Sequence, residues 1–198
     1  MTDFLQGTIK LFKYYRTLAD RAIAQLDAEQ LFVATNDDSN SIAAIMRHMA
    51  GNMLSRWTDF LTSDGEKPWR DRDREFEPQV FKGPDSLSEL TAYWESGWAC
   101  LFSTLESLSP DDLDKKVFIR NEGHSVTDAI ARQLAHYSYH VGQIVFAAKM
   151  LKVQPWESLS IPRNASGQYN AQKFAAEPHD AHFTDNPDIG TKTDKDEN

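Results

Sequence analysis

Apolar side chains return at three- and four-residue steps through four separate segments of this chain, and no long stretch alternates with the period of a strand. The first stripe is Leu5, Ile9, Phe12, Ala19, Ile23 and Leu26. The second runs from about Ser41 to Thr62 and carries Ile42, Ile45, Met46, Met49, Met53, Trp57 and Phe60. The third opens at Ser86, with Glu89 completing a capping box, and continues through Leu87, Leu90, Trp94, Trp98, Leu101, Leu105 and Leu108. The fourth starts at Ser125 or Thr127 and ends near Leu151, before Pro155. A helix with one apolar stripe buries it against others of its kind. Four of them, with no substantial strands, predict an all-α chain built as a four-helix bundle over residues 1–155.

The punctuation between the stripes is polar. Ser39 or Asn40 reads as the cap of the second helix, and Ser109 with Pro110 as the start of a short helical turn. "KKVFIRNEGHSV" reads as a small hairpin around an Asn-Glu-Gly turn. The long helix 2–3 connection, "SDGEKPWRDRDREFEPQVFKGPD", is dense in charge, Gly and Pro. Connections above about 15 residues are uncommon in compact domains and are often functional, so this one is a candidate lid or wall. Residues 156–176 are expected to pack on the bundle as an extended segment, and 177–198 to form a mobile acidic tail.

A hydrophobic fraction of 40% with five Trp and eleven Phe supplies one packed core. The formal charge of −9 excludes a phosphate-tracking surface, because nucleic-acid binding draws on Lys and Arg. Much of that charge is local: seven acids and two lysines from Glu177 onward leave −5 there and −4 for the first 176 residues. One cysteine, Cys100, forms no internal disulfide, which fits a cytoplasmic location, and its place on the third stripe makes it an inert core thiol. No segment has the apolar block of a signal peptide or a membrane span.

Two histidines interrupt the fourth stripe. His136 and His140, four apart in "LAHYSYHVGQIV", share a helix face, and Gln143 continues it. A divalent metal needs neutral nitrogen donors converging on one point, and a helix supplies two of them at this spacing. A third donor must come from elsewhere, and His48, mid-helix in "IAAIMRHMAGN", is placed to face the interior. Position 137 is Tyr, so the HExxH pattern of zinc peptidases is absent. His124 lies in a turn that can reach the rim, whereas His179 and His182 fall in the tail. No glycine pattern for cradling phosphate occurs.

These residues carry a resemblance. His48 in an Ile/Met/Ala helix followed by "GN", together with "LAHYSYHVGQIV", resembles the DinB/YfiT-like superfamily of metal-dependent enzymes over roughly residues 1–172. The resemblance implies a four-helix bundle, often a homodimer, that binds nickel or zinc through His48, His136 and His140. Characterised relatives transfer or use low-molecular-weight thiols. The expectation is therefore an enzyme passing such a thiol to an electrophilic small molecule, with Asn52 and Gln143 beside the ligands and Arg47, Arg56 or Arg163 pairing with a substrate carboxylate. Two rival readings are a metal-dependent hydrolase of a small amide or ester, and a non-catalytic, dimeric, stress-associated binding protein. In the latter, Tyr93, Trp94 and Trp98 would supply a partner surface.

Overall fold

The computed structural model describes residues 4–77 and 86–185. The chain is mostly helical. In order it forms α1 (Phe4–Ile23), α2 (Ile42–Trp57), α3 (Ser86–Ser107), the strands β1 (Lys116–Ile119) and β2 (Glu122–Ser125), α4 (Val126–Leu151) and α5 (Ser166–Phe174). The two strands pair antiparallel. Among the described residues, no helix is long and apolar enough to cross a membrane.

The packing centres on α2, which lies against both α3 and α4, while α1 covers α4 and α3 from the other side. The four apolar stripes meet in one core, where Phe12, Trp57, Trp98 and Tyr137 bring their rings into edge and tilted contact. Helices α2 and α3 approach so closely that a Cβ on Gly97 would sit 2.9 Å from the Cα of Ala50. Every residue of α2 except Leu54 is buried, including Arg47, His48, Asn52, Ser55 and Arg56. Buried polar groups need partners. For most of these, the partners come from the connection after α2.

That connection is a strap over α2. Ser55 Oγ donates to the Gly65 carbonyl at 2.9 Å and accepts from Lys67 N at 3.1 Å. Gly65 N bonds the Phe118 carbonyl of β1 at 2.8 Å. Asp64 accepts from the amides of Arg120 and Asn121, each at 2.8 Å, and so ties the strap to the hairpin tip. The hairpin turns at Arg120-Asn121, both with positive φ (55° and 62°), and Glu122 and Gly123 belong to β2 rather than to the turn. Paired positive φ is the two-residue turn that matches strand twist.

Several boundaries differ from those read in the sequence. Ser41, not Ser39 or Asn40, caps α2 by accepting from Ala44 N at 3.2 Å. The helix stops at Trp57 rather than near Thr62, and Asp59, with φ 49°, turns the chain into the strap. Helix α3 already includes Ser86, and the residue before it lies outside those described. Ser109 with Asp112 forms a capping box on the 3-10 turn after α3, and Ser125 caps α4. Trp156 and Leu159 dock on the core, but Ser166–Phe174 is helical rather than extended and buries no residue. The start of the tail folds back on α1, where Lys10 pairs with Asp185 at 2.7 Å and Phe183 packs on Tyr14. The remainder, from residue 186, lies outside the described residues. Trp94 and Trp98 are core, 2% and 0% exposed, so these two aromatics of α3 are spent on packing, while Tyr93 is half-buried.

Candidate metal centre

His48 sits mid-way along α2, and His136 and His140 lie one turn apart on the facing side of α4. One nitrogen from each ring lies within 4.8 Å of the other two, a group able to hold a metal ion. His136 Nε2 is 3.0 Å from His140 Nε2 and 3.4 Å from His48 Nε2. Nitrogens bound to one ion at about 2.0–2.1 Å stand ~2.8–3.4 Å apart for angles between square and tetrahedral, so the two distances from His136 fit, and the third pair lies within 4.8 Å.

The outer nitrogens decide which way the lone pairs point. His48 Nδ1 lies 2.9 Å from Glu75 Oε2, His136 Nδ1 3.4 Å from Gln133 Oε1, and His140 Nδ1 2.7 Å from Gln143 Oε1. Carboxylate and amide oxygens accept, so each Nδ1 carries the proton and each Nε2 offers a lone pair inward. Gln143 is itself oriented by donating from Nε2 to the Tyr139 hydroxyl at 3.1 Å.

Glu75 comes from the strap. Its carboxylate is 8% exposed and takes a two-pronged grip from Arg70, Nε to Oε1 at 2.8 Å and Nη2 to Oε2 at 2.9 Å. Phe76, next in the chain, stacks on the His48 ring with centroids 4.9 Å apart. Arg47 fastens this stretch by donating to the carbonyls of Glu75 and Glu77 at 2.9 and 3.0 Å. Helix α2 admits the carboxylate only because residue 51 is glycine, since a Cβ there would lie 2.2 Å from Glu75 Oε1. The sequence reading named Arg47 but missed Glu75, Arg70, Phe76 and Gln133. Nothing in the spacing of "EKPWRDRDREFE" separates Glu75 from the four other acids around it. Gln133, by contrast, was legible as the residue one turn before His136 on the same face.

A sequence profile described as "Protein of unknown function (DUF1572)" matches residues 1–165. The chain belongs to that family. The family region holds the three histidines and the whole strap, and it ends just before α5. No curated protein matches the chain, and no solved structure does.

Within the family region the remaining candidates are distributed as follows. Asn52, 5% exposed, accepts from the Tyr137 hydroxyl at 2.9 Å, and that oxygen accepts from Trp57 Nε1 at 3.2 Å, a buried chain linking α2 to α4. Arg56 is 4% exposed, and its Nε and Nη1 have no hydrogen-bond partner. His124, half-buried at the end of β2, has Nε2 3.2 Å from Arg132 Nη1. Arg163 is exposed, and among the described residues no hydrogen bond or ion pair joins it to the histidines. Cys100 is half-buried, its Sγ 3.6 Å from Thr58 Oγ1.

Burial, followed by the neighbouring His140 and His48 rings, pushes His136 from 6.5 down to about 3, and burial first of all also lowers His140. Both rings are thus neutral donors at ordinary pH. The folded-state value lies below the unfolded one, so the stability this contributes is complete above pH 6.5 and is lost as pH falls from there toward about 3. Urea midpoints of metal-free protein are expected to drop through that window, and the drop is expected to be shallower in His136→Gln. Equal slopes in the two proteins would show that His136 is not held neutral.

Proposed function

We propose that the chain is a four-helix bundle of the DinB/YfiT-like kind and a divalent-metal-dependent enzyme that transfers a low-molecular-weight thiol to an electrophilic small molecule. One observation carries this reading: one nitrogen of each of three rings converges on the others, while each Nδ1 faces a carboxylate or amide oxygen. Zinc or nickel suits an all-imidazole donor set. His48, His136 and His140 would hold such an ion, which would supply the positive charge that makes a thiol or water acidic near neutral pH.

The chain's own residues do the rest. Glu75, Gln133 and Gln143 hold the rings in register, and Phe76 screens one face of His48 from water. Tyr139, 63% exposed beside His140, stands on the solvent side of the centre. Hydrolysis of an amide or ester is the weaker reading, because it asks for a general base near the reacting water. Glu75 is bound to the far side of His48, with both oxygens already taken by Arg70 and His48 Nδ1. A thiol, far more acidic than water, would give its proton to solvent without such a base.

The test is metal analysis of protein as purified, followed by assays of thiol consumption against a panel of electrophiles across zinc, nickel and cobalt. Near-stoichiometric metal and metal-dependent loss of thiol are expected. Metal-free protein that takes up none of the three ions would end the proposal.

A further inference from the structure

Positions 48, 52 and 56 follow one another at four-residue steps along the same face of α2, placing Arg56 two turns beyond His48. The Cα–Cβ bonds of a helix tilt toward its N-terminus, and from that start the Arg56 guanidinium reaches the strap beside Gly65. Its charge is felt at His136 and at the Tyr137 hydroxyl. Yet Arg56 is 4% exposed, and among the described residues its Nε and Nη1 meet no acceptor. Native structures rarely bury such donors without a partner, and each exception asks for an explanation.

The neighbouring acids are already committed. Glu66 takes Arg120 at 3.0 Å and lies 3.7 Å from Arg70. Glu75 is shared by Arg70 and His48. Asp64 accepts the amides of Glu66, Arg120 and Asn121. The strap also makes room for the guanidinium, because a Cβ on Gly65 would fall 2.5 Å from Arg56 Nη1. Arg132, exposed on α4, adds a second cation that acts on Arg56.

We infer that Arg56 is the anion-binding subsite of the histidine centre: the small molecule that enters carries a carboxylate, which seats on this guanidinium while its other end faces the three imidazoles. The inference rests on the reading of the centre as a metal site and narrows its substrates to short anionic compounds, a mercaptocarboxylic acid being the simplest. The carboxylate supplies the missing acceptor to a guanidinium that Glu66 and Asp64 reach only through space. Substrate binding then selects acids over neutral thiols of the same length.

The experiment uses cobalt(II)-loaded protein and follows sulfur-to-cobalt charge-transfer absorbance during titration with 3-mercaptopropionate and, separately, with its neutral isostere 3-mercaptopropionamide. Wild type is expected to bind the acid about tenfold or more tightly than the amide. Arg56→Gln is expected to bind both equally with unchanged metal content, and Arg56→Lys to keep part of the preference. A preference that survives in Arg56→Gln, or is absent from wild type, overturns the inference. Should Arg56→Gln fail to fold, the wild-type comparison alone decides. A second arm needs no metal: succinate, but not its diamide, is expected to raise the melting temperature of metal-free wild type and to leave Arg56→Gln unmoved. Metal binding with a flat response to succinate would overturn the subsite alone. A succinate response in a protein that takes up no metal would overturn the metal reading and leave Arg56 as an anion site.

Discussion

His136→Ala is expected to lose the metal and turnover together. Its Nε2 is the middle donor of the three, 3.0 Å from His140 and 3.4 Å from His48. Removing it leaves two nitrogens on different helices that hold an ion through only two bonds. Losing a partner that merely orients a ligand costs roughly 10–100-fold in affinity, and losing the ligand itself must exceed that. The fold is expected to survive, since His136 is only half-buried and the core residue beside it, Tyr137, is untouched. Chelator competition with elemental analysis reads the first effect, and circular dichroism melting checks the second. A well-folded variant that still carries stoichiometric metal would remove the case for this centre.

Changing Glu75 is expected to have the largest effect on stability. The carboxylate is buried, and Arg70, whose side chain is 2% exposed, depends on it. Removing one partner of such a pair strands the other charge, which costs about 3–5 kcal/mol. Glu75→Ala is therefore expected to lower the urea midpoint sharply and, by freeing the His48 ring, to weaken metal binding roughly 10–100-fold. Glu75→Gln separates the two roles. An amide oxygen still accepts from His48 Nδ1, so the metal is largely retained, but the charge opposite Arg70 is gone and stability falls. If both variants unfold at the wild-type urea concentration, the strap is not anchored through this carboxylate.

The glycine at position 51 illustrates why such a site is hard to read in advance. In the sequence it stands inside a helix between Ala50 and Asn52, where glycine is a weak helix former. Its reason lies 24 residues away, in a carboxylate that occupies the space a methyl group would fill. Arg47 likewise read as a candidate for substrate, but its guanidinium is used on strap carbonyls. Arg56, of the same residue type and nine positions on, has no acceptor for its Nε and Nη1 among the described residues. Residue type and burial alone do not distinguish these two arginines; only the course of the strap does.

Local periodicity sufficed for the helices and for the pairing of His136 with His140, because both follow from 3.6 residues per turn, and a capping hydroxyl or a proline acts within one turn of itself. It also placed His48 on an inward face. What periodicity cannot carry is the path of a charged, irregular connection, whose conformation is set by contacts with distant partners. The tertiary structure alone decided that this connection folds across α2, brings Glu75 to His48, and satisfies Arg47 while leaving Arg56 unmatched. The physical reason is that burial turns each of those polar groups into a requirement for one specific partner, and the partners are distant in sequence.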